Sequence, residues 1–93
     1  MNIPLSDILY IEALGNYVKI FRKSGGHILT RTNLKNITDM LPDGDFLRIH
    51  RSYVISLASV VAFSRTRVEL KGLEEGLPVG TQFVAKVIDI LGR

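Results

Sequence analysis

The chain contains no cysteine, only three prolines and only two histidines in 93 residues. Without cysteine there is no disulfide framework and no thiol nucleophile, which fits a cytosolic protein. His27 and His50 stand far apart in the sequence, and no residue pair has metal-ligand spacing. Neither a G-x-S-x-G elbow nor a phosphate-loop glycine pattern occurs, so no catalytic residue, metal or cofactor is expected. Glu12 is the one acid in an otherwise apolar stretch. It suits either a buried general acid or the partner of an arginine. Apolar runs fall far short of the ~20 residues needed to span a membrane, and no signal peptide precedes the first predicted strand, so no membrane insertion is expected. Aromatic residues are sparse at 8%. Tyr17, Phe21 and Tyr53 are too scattered to form a stacking platform for single-stranded RNA.

Acidic residues are missing from one region in particular. None occurs from Phe46 to Val68, whereas Arg48, Arg51, Arg65 and Arg67 all lie there. The net charge of +3 is modest, so the distribution tells more than the total. At the centre of this region stands Phe46-Leu47-Arg48-Ile49-His50-Arg51-Ser52-Tyr53-Val54-Ile55. It begins and ends as a strand, and His50, Arg51 and Ser52 interrupt it with three hydrogen-bonding side chains. A cationic block in an apolar frame suits a phosphate-bearing partner. A solvated basic turn beside an edge strand is the plainer alternative.

The length indicates one domain, residues 1–93, burying ~60–65% of the surface its unfolded chain would expose. Ser6 to Ala13 reads as a mostly buried strand. Gly15-Asn16 breaks it, and Tyr17 to Arg22 alternates as a half-exposed strand. Lys23-Ser24-Gly25-Gly26 is a glycine turn leading to a partner strand, His27 to Thr30. Leu34, Ile37 and Leu41 then recur at helical spacing. This predicts a short helix from Thr32 to Leu41, with Thr32 as N-cap and Pro42 as stop. Ser59 to Ser64 and Arg67 to Lys71 form a second hairpin around Arg65-Thr66, followed by a short strand at Leu77-Pro78-Val79. Val84, Val87, Ile88 and Leu91 mark a terminal helix with Gly92 as its stop. The pattern predicts a mainly antiparallel β domain.

Arg48-Ile49-His50-Arg51-Ser52-Tyr53-Val54 resembles the signature of the LytTR family of bacterial DNA-binding domains. Tyr10-Ile11-Glu12-Ala13, Gly15-Asn16-Tyr17-Val18, Thr32-Asn33-Leu34-Lys35, Leu41-Pro42 and Leu77-Pro78-Val79 resemble further landmarks in the same order. The resemblance covers nearly the whole chain. It implies small antiparallel sheets stacked into an elongated domain, with one short internal helix, a C-terminal helix and loops that enter duplex DNA. It also implies a bacterial, cytoplasmic transcription regulator of the response-regulator type. Nothing here resembles a receiver domain, so a receiver or sensor-kinase partner would lie outside this chain.

The resemblance carries over to particular positions. Asn16, Arg51 and Gln82 are the expected base readers, since Asn and Gln match adenine and a guanidinium spans O6 and N7 of guanine. Tyr17, Asn33, Lys35, Ser52, Arg65, Arg67 and Thr81 are the expected phosphate contacts. Arg48 and His50 are assigned to ordering the central loop. Lys19, Arg22, Lys23, Arg31 and Lys71 suit ordinary solvated charges, although roughly half of these outlying candidates are expected to touch DNA. Many family members carry a serine and then arginine or lysine after the Pro-Val pair, where this chain has Gly80-Thr81-Gln82. That departure keeps an alternative open: a LytTR-like protein-interaction or dimerisation module with little specific DNA binding. A dimer on DNA also stays open.

Overall fold

Strand β1, Ile8–Leu14, runs through the middle of a five-stranded sheet in the computed structural model, which describes residues 2–93. Its neighbours are β2 (Tyr17–Arg22) on one side and β5 (Tyr53–Ser56) on the other. Beyond them lie β3 (His27–Thr30) and β4 (Phe46–His50), giving the order β3-β2-β1-β5-β4 with every pairing antiparallel. A second antiparallel sheet holds β6 (Val60–Phe63), β7 (Arg67–Leu70) and β8 (Leu77–Pro78). Two helices complete the domain: α1 (Leu34–Asp39) and α2 (Val84–Leu91).

Strand alternation sends side chains to both faces of the large sheet, and each face has its own core. On one face Ile8, Ile11, Val18, Ile20 and Val54 pack against Leu34, Ile37 and Leu41 of the α1 segment. On the other, Leu47, Ile49 and Ile55 pack against Val68 and Leu70 of the small sheet and Val87 of α2. The large sheet is therefore the middle layer of three. Its second face also carries a ribbon of rings, one from each strand in spatial order: His27, Phe21, Tyr10, Tyr53 and His50. Tyr10 and Phe21 stack at 4.3 Å between centroids, and the remaining neighbours lie 5.4–6.3 Å apart.

The mainly antiparallel fold agrees with the sequence reading, with local differences. Leu5–Asp7 is a short 3-10 turn, so the first strand starts at Ile8 rather than Ser6. Another 3-10 turn, Leu57–Ser59, delays the first strand of the small sheet to Val60. The N-cap of α1 is Asn33, not Thr32: extended at φ −123°, it accepts the Asn36 N–H on Oδ1 at 2.8 Å. Asn outranks Thr at this position. The terminal helix is preceded by a 3-10 turn over Thr81–Phe83.

At the far end of the β2–β3 hairpin, the Asp7 carboxylate accepts the Ser24 hydroxyl at 2.7 Å and the Ser24 N–H at 2.9 Å. The hydroxyl bond, reinforced by the amide and by the charges of Arg22 and Lys23, outweighs desolvation and holds this carboxyl below its usual range. The contribution is present above the ordinary aspartate range and is lost as pH falls through the depressed folded value. An NMR titration should place Asp7 below a free aspartate, and Ser24→Ala should return it toward the ordinary value. In the core, Ile11 is fully buried. Ile11→Ala should cost about 2–5 kcal/mol in denaturant unfolding, with the slope unchanged.

Candidate nucleic-acid interface

Five connecting segments meet at one end of the layered structure. The first, between β1 and β2, is a two-residue turn at Gly15-Asn16. Gly15 has φ +61° and Asn16 does not, the φ pattern of a type II′ hairpin turn with glycine first. Only Gly15 uses the left-handed region, and Asn16 is left exposed.

The second is Arg51-Ser52, between β4 and β5. Pairing passes from Arg48↔Val54 to His50↔Tyr53, so Ile49 is the extra residue of a bulge. The turn is held from three directions. Arg48 donates from Nε to the His50 carbonyl at 3.3 Å and from its terminal nitrogen to the Arg51 carbonyl at 2.6 Å. The Ser52 N–H donates to His50 Nδ1 at 3.0 Å, which places the proton of a neutral His50 on Nε2. The Ala13 N–H donates to the Ser52 carbonyl at 2.9 Å, tying this turn to the end of β1. The Arg51 side chain remains exposed and makes no hydrogen bond among the described residues.

The third segment follows β8. The Gly80 N–H donates to the Ile49 carbonyl at 2.8 Å, so the bulge that shapes the second turn also anchors the third. A Cβ on Gly80 would lie 3.1 Å from the Phe83 ring and 3.6 Å from His50 Cα. Phe83 in turn sits 5.8 Å from the Arg48 guanidinium, within cation–π range. Thr81 and Gln82 are exposed beyond this contact. The fourth segment is the turn Ser64–Thr66 of the small sheet, whose Thr66 carbonyl accepts the Val79 N–H at 2.9 Å. Ser64 Oγ accepts the N–H groups of Thr66 and Arg67, both at 3.2 Å, leaving Arg65 exposed. The fifth is Arg31-Thr32-Asn33, which with Gly15 and Asn16 lines an open depression of about 360 Å³.

The structure therefore gathers Asn16, Tyr17, Asn33, Arg48, His50, Arg51, Ser52, Arg65, Thr81 and Gln82 at one end of the domain. Two other candidates have intramolecular partners. Lys35 lies on α1 and pairs with Asp39 at 3.3 Å. Arg67, at the start of β7, donates to the Gly76 carbonyl at 2.6 Å. Sequence reading left Arg31 among the outlying surface charges and passed over Phe83. The pairing Val18↔Thr30 puts Arg31 level with Tyr17, a placement that needs the hairpin register. Glu12 is not paired with an arginine among the described residues. It accepts the Tyr53 hydroxyl at 3.3 Å and faces Lys19 across the ladder. Burial, and secondarily the Glu12 charge, pushes the Tyr53 hydroxyl up from its ordinary value.

Charge is uneven along the strand axis. Arg31, Arg48, Arg51, Arg65 and Arg67 cluster around the five segments. Asp7, Asp43, Asp45, Glu74 and Glu75 lie in connections at the opposite strand ends, where they outnumber Arg22, Lys23 and Lys71. A rigid sheet that presents hydrogen-bonding turns in a cationic field belongs to the class of nucleic-acid-binding domains. The chain matches the LytTr DNA-binding domain over residues 1–92 and belongs to that family.

One curated relative is the CO-responsive transcriptional regulator RcoM of Rhodospirillum rubrum, 29% identical over 94 residues. The match covers 96% of this chain but 39% of the relative, so the chain spans about two fifths of that protein. Among solved structures, the LytTr DNA-binding domain of a Bacillus cereus protein described as a DNA response regulator superposes with a TM-score of 0.84. It covers 98% of this chain and 86% of the other at 20% identity, a likeness of fold.

The geometry of the second turn gives a test of its support. Lysine retains the charge of Arg48 but cannot reach two carbonyls with a planar fork. Arg48→Lys should speed amide hydrogen exchange at Ser52 and Tyr53 while leaving Val18 and Ile20 protected.

Proposed function

We propose that this domain reads duplex DNA sequence with the turns at its cationic end, as the DNA-binding part of a longer bacterial transcription regulator. The observation that carries the reading is the convergence of the Gly15-Asn16, Arg51-Ser52 and Gly80–Gln82 segments on one rigid sheet end. Base edges are distinguished by donors and acceptors, so turns can read them as well as a helix can.

In this proposal Asn16, Arg51 and Gln82 read bases. Arg51 is central because its guanidinium has no competing partner among the described residues, while its carbonyl is held by Arg48 and that of the next residue, Ser52, by the Ala13 N–H. Tyr17, Ser52, Thr81, Asn33 and Arg65 contact phosphates directly, and Arg67 and Lys35 do so by exchanging the Gly76 carbonyl and the Asp39 carboxylate for one. Asn33 spends Oδ1 on its cap but keeps its amide donors free for that role. Arg48 and His50 hold the central turn without touching DNA. The separation of charge would orient the approach, turning the arginine end toward the duplex and the acidic end away.

The regulator carrying this domain would act in the cytoplasm, under a receiver domain, sensor-kinase pathway or other sensing unit outside residues 1–93. Binding as a dimer would pair two such ends on one operator. No helix among the described residues is long and apolar enough to cross a membrane.

Selection from a random duplex library, followed by salt titration on the winning sequence, tests the reading. A defined motif with a log–log salt slope of several units is expected. Arg51→Ala should then cost about 1–3 kcal/mol at one base position and relax preference there. No motif, with weak binding that vanishes at modest salt, would instead favour a protein-interaction module, consistent with the uncharged Gly80-Thr81-Gln82 segment.

A further inference from the structure

We infer that Arg31 is a phosphate anchor at the flank of the reading surface, beside the Asn16 turn; this rests on the DNA-reading proposal above. Arg31 follows β3 directly. Its strand pairs with β2 through Val18↔Thr30, so Arg31 emerges next to Tyr17, at the foot of the first reading turn. Together with Gly15, Asn16, Thr32 and Asn33 it borders an open depression of about 360 Å³, ample for a hydrated phosphodiester.

The partners of the other cations single it out. On the same hairpin, Arg22 donates to the Gly25 carbonyl at the far end. Lys35 is paired with Asp39. Arg48 and Arg67 donate to backbone carbonyls. At the cationic end, the arginines whose guanidinium makes no hydrogen bond or ion pair among the described residues are Arg31, Arg51 and Arg65. Arg51 sits in the middle turn and Arg65 on the small sheet, so Arg31 is the free guanidinium on the side of the Asn16 turn.

Spacing agrees with an anchor rather than a second reader. Adjacent strands lie about 4.8 Å apart. Arg31 at the sheet edge is then roughly 5–10 Å to the side of Asn16. That is close to half the ~12 Å width of a major groove. With Asn16 directed at base edges, a cation at that offset meets the backbone bordering the groove. A phosphate contact positions the protein and carries no sequence information.

The test compares Arg31→Ala with Lys23→Ala, an equal loss of charge at the opposite end of the same hairpin. Both are measured on the duplex recovered by selection, from 0.1 to 1 M salt. Arg31→Ala is expected to weaken binding about tenfold at 0.1 M, with the difference shrinking at high salt and the slope shallower by about 1. The preferred sequence should not change, and Lys23→Ala should behave as the unmodified protein. Arg31→Lys should recover most of the slope, which a purely structural role would not predict. If Arg31→Ala matched Lys23→Ala, the residue would be an ordinary solvated charge and the inference would be wrong. A changed base preference at an unchanged slope would also overturn it, by making Arg31 a reader. If the unmodified protein selects no sequence, the underlying DNA reading fails instead, and the Arg31 assignment falls with it.

Discussion

A single backbone hydrogen bond, from the Ala13 N–H to the Ser52 carbonyl, joins the two halves of the reading end. It extends the pairing of β1 with β5 one step past Glu12↔Tyr53 and into the turn itself. Because β1 is also paired with β2, the same strand fixes the Gly15-Asn16 turn on its other side. The two turns are therefore not independent loops on a scaffold. They are consecutive positions on one hydrogen-bonded lattice, and neither can shift without disturbing the ladder that buries Ile11 and Val54.

Rigidity at this end is reinforced by side chains engaged within the protein. Arg48 spends its donors on two carbonyls of the turn, and His50 spends Nδ1 on an amide. A buried or half-buried donor that already has its partners is a poor ligand for DNA but a good brace, and the exposed Arg51 benefits from a backbone that does not have to be ordered on binding. The third segment joins through Gly80, whose lack of a side chain leaves room for the Phe83 ring and for His50 on either side of it. Hydrophobic, cation–π and hydrogen-bonded contacts thus converge behind a surface that is itself polar.

The strands could be read from the sequence because period-two alternation survives in Tyr17–Arg22 and Arg67–Leu70, where one face is buried and the other is not. The family resemblance supplied the stacking of two sheets, which alternation alone does not encode. Several features were not legible. Thr32 and Asn33 are both competent caps, and only the φ of Asn33 decides between them. The 3-10 turns at Leu5–Asp7 and Leu57–Ser59 are too short to have a period. Arg31 looked like any surface charge because its importance depends on being beside Asn16, fifteen positions earlier in the chain and adjacent only through strand register. The Gly76 carbonyl that holds Arg67 was hidden for the same reason, whereas the pair of Lys35 with Asp39 is an i,i+4 contact within the predicted helix.

Each of three pairings carries an irregularity in register, near Leu9, Ile49 and Val61. A strand's side chains alternate in parity, so one supernumerary residue reverses the facing of everything after it. At Ile49 this lets two consecutive odd-even assignments coexist: Leu47 and Ile49 both enter the core while the His50 ring still meets Tyr53 on the same face. The consequence concerns which lengths the central hairpin can have. Deleting one residue between Arg48 and Tyr53 would remove the bulge and, with it, the carbonyl that holds Gly80. Inserting one would turn Arg51 away from the surface it shares with Asn16. The residue count of this hairpin is thus fixed by geometry, independently of the side chain that its turn presents.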